Sequence, residues 1–251
     1  MNGLSHTLSL ESEPTRPFVV KTNENQWHEA EGVLLQQSAF LNKNEISWPR
    51  FINWLNKYYL MATKQTSQAP VRPLTGYDID YLHSLSVFNK GPTVSLKQFD
   101  TFWTWFGPML HKIRYQRHIN GLWTRGFICG FLNRDEVNAV LGNEQVGTFL
   151  IRFSERNPGA FVIAYVAIEE GKKKVHHYLM QDDDTFAAKK TLPDFLHECR
   201  DFTILLQICY DIHEQRRILR RCEKDAVLKE YYKPLIHPPG SGYQNDIKVF
   251  S

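Results

Sequence analysis

Cysteine is scarce in this sequence: four in 251 residues, at Cys129, Cys199, Cys209 and Cys222. They lie far apart and none stands in CxxC spacing, so the chain offers neither a disulfide framework nor a thiolate metal motif. They read as reduced thiols, buried as small hydrophobes, in a cytosolic or nuclear protein. Long apolar runs are also missing. No stretch approaches the roughly 18 residues of a membrane span. Met1 to Pro14 is polar and acidic and lacks the apolar centre of a signal peptide. Charge of one sign is absent too: the formal net charge is +3, so composition alone argues for no nucleic-acid surface. There is no glycine-rich phosphate loop, no nucleophile elbow and no ligand set with metal spacing. The expectation is therefore no enzyme, no catalytic residue, no cofactor and no metal. His176 and His177 are neighbours on a strand, hence on opposite faces, and do not easily ligate one ion.

What is present is a hydrophobic content of 42%, enough for a sizeable core in one or two domains. Pro17 to Thr22 reads as a short strand and Trp27 to Phe40 as a helix with Ala30, Val33 and Leu34 on its buried side. From Ile46 to Ile119 the signals are helical. Ser47 and Pro49 open one helix carrying Trp48, Phe51, Ile52, Leu55 and Tyr59. Asp78 opens a second, which Lys90-Gly91-Pro92 ends. Ser95 and Gln98 form a capping box for a third, Leu96 to Phe106, with a kink or break expected at Gly107-Pro108. Its aromatic residues, Phe99, Phe102, Trp103, Trp105 and Phe106, read as helical core. Lys112, Arg114 and Arg117 read as a solvated face. Trp123 is an expected buried anchor, and Asn133 with Glu136 caps a helix that Gly142 closes.

Gly147 to Glu155 and Ala160 to Val166 are apolar runs around an Asn-Pro-Gly turn, the pattern of two antiparallel buried strands. Alternation sends Phe149, Ile151 and Phe153 to one face and Leu150, Arg152 and Ser154 to the other. A third strand, Val175 to Met180, and a helix capped by Thr191 and Asp194 follow, giving an α+β unit of helix, central strands and helix. Phe202 to Tyr232 is a long amphipathic stretch. Lys233 to Gly242, rich in proline and glycine, is a linker, and Tyr243 to Ser251 an exposed tail.

Arg152 on a buried strand requires an anion or a ring of acceptors, because its charge cannot be removed. Its planar fork suits phosphate. Ser154 shares its face, the turn Glu155 to Asn157 aims backbone N–H groups at an anion, and Arg134 adds charge at a helix N-terminus. His177 on the third strand lies across the sheet from Arg152.

Gly147-Thr-Phe-Leu-Ile-Arg-Phe-Ser-Glu155 resembles the phosphotyrosine-binding strand of SH2 domains, with the Phe-Ser-Glu ending of the STAT family (signal transducers and activators of transcription). Leu122 to Arg134, Thr101 to Phe106, Ile46 to Pro49, Pro17 to Val20 and Lys224 to Tyr232 are similar to successive STAT segments in the same order. The resemblance implies an α+β chain: the end of a DNA-binding domain (1–40), a helical linker domain (41–120), an SH2 domain with a central antiparallel sheet flanked by two helices (121–232), and a tail (233–251). It implies phosphotyrosine binding by Arg152, Arg134, Ser154, Glu155, Arg156 and His177. Arg134 replaces the more usual lysine, and Arg156 stands where STATs tend to carry a small hydroxyl residue. It further implies phosphorylation of Tyr243 by a tyrosine kinase and pairing of Ile247, Val249 and Phe250 along a partner. Expected partners are a second copy or a related STAT, joined through phosphotyrosine, and a phosphorylated receptor, with DNA only where a DNA-binding domain accompanies the chain, and no membrane. The expected location is cytoplasm, moving to the nucleus on activation. The upstream STAT domains are absent, so the chain reads as a fragment or a short relative. The alternative function is a short SH2 adaptor or dominant-negative competitor without DNA binding of its own.

Overall fold

The computed structural model describes residues 23, 26–180, 190–211 and 216–232. The expected strand at 17–22, the polar turn at 182–184, the linker and the tail residues Tyr243, Ile247, Val249 and Phe250 lie outside them.

The helical half is built from two similar pieces. α1 (Trp27–Phe40), β1 (Glu45–Ser47) and α2 (Trp48–Ala62) form one; α3 (Gly76–Ser84), β2 (Thr93–Ser95) and α4 (Leu96–Tyr115) form the other. The short strands pair antiparallel with Ile46 opposite Val94. Trp48 N–H to Pro92 O at 2.8 Å and Leu96 N–H to Asn44 O at 3.0 Å extend the pairing. The two loops share a backbone: Leu41 and Asn42 in the first, and Asn89 and Lys90 in the second, all have positive φ. Left-handed residues of this kind cost about 1–2 kcal/mol each. Their recurrence at matching places marks a structural repeat that the sequence, with few identities between the pieces, does not display.

Capping chemistry sets the helix starts. Thr75 with Asp78, Ser95 with Gln98, Asn133 with Glu136 and Thr191 with Asp194 all form reciprocal boxes. Asp78 is therefore the third residue of its helix, not the first. α4 runs through Gly107-Pro108 to Tyr115 instead of breaking. An interior proline costs about 3 kcal/mol, but Phe99, Phe102, Phe106, Met109, Leu110 and Ile113 form one buried stripe on both sides of it. α1 is rotated from the expected orientation: Val33 is 45% exposed and Leu35 is buried. The cause is close approach at Gly32, where a Cβ would stand 2.3 Å from Trp103 Nε1; that indole donates to His28 O at 2.7 Å. Lys112 and Arg114 are less solvated than expected. Lys112 lies over the Phe161 ring and Arg114 donates to Met61 O.

After α5 (Ile119–Thr124) and α6 (Arg134–Gly142) comes a five-stranded sheet in the order β5-β4-β3-β6-β7. Its strands are β3 (Thr148–Phe153), β4 (Phe161–Glu169), β5 (Lys172–Leu179), β6 (Ile204–Asp211) and β7 (Arg216–Glu223). All neighbours are antiparallel except β3 and β6. The amphipathic stretch from Phe202 is thus two strands and the short α8 (Lys224–Leu228); its apolar residues alternate with period two, as Leu206 and Ile208 against Leu219 show. α7 (Leu192–Glu198) and α6 cover opposite faces. Phe149, Ile151 and Phe153 join α7 and the aromatic helical core; Leu150, Ala164 and Leu206 pack against Val137 and Leu141 of α6. The fold is α+β, as expected, and the face bearing Arg152 is the α6 face.

Candidate anion-binding site

Arg152 sits near the end of β3, paired with Val162 of β4 and bridged on its other side to Gly130. Only 4% of it is exposed. A guanidinium has five donors, and this one is poorly supplied. Nη1 donates to Phe153 O at 3.0 Å and reaches Glu155 Oε2 at 3.5 Å. Nε is buried and has no partner among the described residues. Burial pulls its pKa below the ordinary arginine value, the Glu155 carboxylate and the Tyr81 phenol oppose that, and the Arg134 guanidinium adds to it. The group still carries its charge, so a further anion here would relieve both the missing acceptors and the like-charge contact.

Glu155 touches Arg152, and Arg134 and His177 lie within reach of its charge. Arg134 is the exposed first residue of α6, directly after its Asn133 cap. Ser154 is buried, and its hydroxyl accepts N–H bonds from Arg156 at 3.3 Å and Asn157 at 3.0 Å, leaving its own proton to donate. Glu155, Arg156 and Asn157 are exposed on the turn that those bonds shape. His177 is on β5, opposite Ala164 of β4, on the same face as Arg152 and one strand further across. Its Nε2 donates to Asn138 Oδ1 of α6 at 2.8 Å. Burial, then Arg134, Arg152 and His176, lower its pKa to about 4. It is a neutral imidazole in a positive field, ready to protonate when an anion arrives.

Two contributors come from the helical half, where sequence periodicity showed only core. Trp105 of α4 donates its indole N–H to Ser154 O at 2.9 Å. Tyr81 of α3 rests on Phe131 at 5.7 Å, and burial, then Glu155, push its phenol pKa up, so it stays an O–H donor. No sequence spacing connects positions 81 and 105 to 154. Elsewhere, burial pushes the Cys129 thiol up to about 12, consistent with an inert core cysteine. Among the described residues no cluster of three or more His, Cys, Asp or Glu side chains suits a metal ion.

Comparison with known proteins divides the chain in the same two parts. Residues 23–116 match the family described as EF-hand fold domain, and residues 127–197 match the SH2 domain. Two relatives come from Dictyostelium discoideum. Signal transducer and activator of transcription A is 46% identical over 239 residues, 95% of this chain and 33% of that protein. Signal transducer and activator of transcription B is 42% identical over 265 residues, 95% of this chain and 23% of that protein. The chain thus spans a third or less of the length of these two relatives.

The EF-hand likeness raises calcium, and the loops do not fit it. The paired strands align windows 39–50 and 87–98. Calcium loops carry oxygen ligands at the first, third and fifth positions and a glutamate at the twelfth. Here those positions are Ala39, Leu41, Lys43 and Arg50, and Val87, Asn89, Gly91 and Gln98. In both loops the twelfth residue is a donor that closes back on the first: Arg50 Nε to Ala39 O at 2.6 Å, and Gln98 Nε2 to Val87 O at 2.9 Å. Nitrogen donors tie loops that an ion would otherwise tie.

Proposed function

This chain belongs, over 95% of its length, with the C-terminal part of the signal transducers and activators of transcription, and we propose that it binds phosphotyrosine at Arg152 and exchanges phosphotyrosines with a second copy. The single observation that carries this reading is the Arg152 guanidinium: nearly buried, short of acceptors and in the field of Arg134. Arg152 is the bidentate phosphate ligand. Arg134 at the α6 N-terminus and the Ser154 hydroxyl add a charge and a proton donor. The Arg156 and Asn157 amides belong to the turn that lies against the phosphate, and Glu155 swings off Arg152 as the phosphate comes on. His177 takes up a proton against the dianion.

The ligand is Tyr243 after phosphorylation by a tyrosine kinase, which adds about −1.5 to −2 charge. Reciprocal insertion gives a symmetric dimer, with Ile247, Val249 and Phe250 adding as a strand along the partner. In this reading the helical half is the linker and the sheet half the SH2 domain. Receptor docking, control of transcription, DNA contact and movement to the nucleus are proposed only as roles of proteins as long as the relatives, of which this chain spans 33% and 23%. Titration of the chain with a tail peptide phosphorylated on Tyr243 tests the pocket. Arg152→Ala abolishes the binding; retained tight binding sinks the assignment. The mass in solution doubles on phosphorylation, and Tyr243→Phe stays monomeric while still binding the external phosphopeptide. Phosphate mapped to Tyr231 or Tyr232 instead would overturn the tail assignment.

A further inference from the structure

The turn that follows Arg152 is held from outside the sheet. Within it, Ser154 N–H bonds Ala160 O at 2.9 Å and Ala160 N–H bonds Asn157 O at 3.1 Å. The other attachments come from one face of α4. Trp105 donates its indole N–H to Ser154 O at the start of the turn. Pro108, three residues on and so on the same face, backs Gly159 at its end. A Cβ on Gly159 would meet Pro108 Cβ at 3.2 Å and its carbonyl at 3.3 Å, and the glycine φ is +68°. Lys112, one further turn along, lies over the ring of Phe161, the first residue of β4. Between the two pins, Glu155, Arg156 and Asn157 remain exposed. The interior proline, unfavourable for a helix, is here the surface on which the glycine end of the turn rests.

We propose that Trp105 is a positioning residue for the phosphate-binding turn, so that the helical half is part of the phosphotyrosine site and senses its occupation. This rests on the phosphotyrosine reading above. The Ser154 carbonyl belongs to the residue whose hydroxyl organises the Arg156 and Asn157 amides. Fixing that carbonyl fixes the hydroxyl, and with it the course of the turn that both N–H groups close onto it, before the ligand arrives. Because binding and positioning are linked, the ligand must in return alter the indole hydrogen bond.

The test uses the full chain and a tail peptide phosphorylated on Tyr243, with affinity measured by fluorescence polarisation. Trp105→Phe keeps a packing ring and deletes the donor; the expected loss is about fivefold in affinity, the usual worth of one neutral hydrogen bond. In parallel, the Trp105 Nε1–H signal, assigned by its absence in the variant, is followed by nitrogen–proton NMR of the unsubstituted chain. It should move on addition of peptide, saturate with the binding curve, and stay still in Arg152→Ala. Arg152→Ala that binds like the parent overturns the pocket itself. Arg152→Ala that fails to bind, alongside an unmoved Trp105 signal or a Trp105→Phe affinity within about twofold of the parent, overturns the positioning role alone. Once the signal is assigned, the titration itself is read on the unsubstituted chain.

Discussion

Two arginines taken out of water, Arg72 in the helical half and Arg152 in the sheet half, receive opposite treatment. Arg72 leaves the loop between α2 and α3 and donates to the carbonyls of Trp123, Ile128 and Cys129, with its guanidinium stacked 3.5 Å from the Trp123 ring centre. Its own main chain is held as well, by Gln65 and the Tyr59 hydroxyl. Arg152 has one main-chain carbonyl, a distant carboxylate and an unpartnered Nε. Burial lowers both pKa values. A cation whose donors are filled by fixed carbonyls is a rivet. A cation withdrawn from water still further but left with open donors is a waiting ligand.

Alanine at each position separates the two roles. Arg152→Ala should cost at least about thirtyfold in phosphopeptide affinity, since truncating one partner of a buried hydrogen-bonded charge pair costs about 2–5 kcal/mol. Its unfolding midpoint should stay within ~2 °C of the parent, because an under-supplied buried charge adds little to the fold. Arg72→Ala should do the reverse. It strips donors from three carbonyls and uncovers Trp123, at a cost of about 3 kcal/mol in urea unfolding. Binding by the fraction still folded should be near normal. A stable Arg72→Ala, or an Arg152→Ala that unfolds early, would collapse the distinction.

How visible was this contrast in the sequence? Arg152 was legible because strict alternation in β3 sends it to a face with Leu150, and nothing in the run neutralises it. The capping boxes at Ser95, Asn133 and Thr191 were legible for a similar reason: the interaction spans three residues and needs no tertiary partner. Arg72 was invisible, since its acceptors are main-chain oxygens more than fifty positions away. The same holds for Trp105, which reads as one more core aromatic until Ser154 O is placed beside it. The end of α4 was misread because proline propensity is local, whereas the stripe from Phe99 to Ile113 is long and buried. The loop repeat was hidden because its shared feature, paired left-handed residues at 41–42 and 89–90, is a backbone property that no residue type there demands.

The pH dependence sharpens the sheet side. His177 has a folded-state pKa of about 4, lowered first by burial and then by Arg134, Arg152 and His176. The unfolded chain binds that proton near the ordinary value of about 6.5, so the unfolded state holds more protons between the two values. The native-state advantage is complete above about 6.5, is lost as pH falls toward 4, and is flat below. His177 is only half-buried, so the loss is discounted to about 1 kcal/mol. His177→Gln should remove that component from a stability-versus-pH curve. Bound phosphopeptide should shift the imidazole titration upward, read by the His177 ring-proton NMR signal. An imidazole unmoved by peptide would detach His177 from the site.

The smallest expected effect lies in the helical half, where the rivet principle recurs in the paired loops. Arg50 Nε on Ala39 O and Gln98 Nε2 on Val87 O hold the first and last positions of each loop together. No carboxylate stands at the first, third, fifth or twelfth positions of either. Calcium prefers six to eight oxygens of high negative charge, and a loop carrying Lys43 and Arg50 repels it. Millimolar calcium should therefore move the unfolding midpoint by less than about 1 °C, whereas a site bound at a hundred times its dissociation constant would add about 2.7 kcal/mol. Arg50→Ala should cost about 1 kcal/mol through the lost donor on Ala39 O, and added calcium should not restore it. A saturable upward shift with calcium, or calcium rescue of Arg50→Ala, would mean that the loops are ion sites after all. In that event the nitrogen closures would be competitors for the ion and not its replacement.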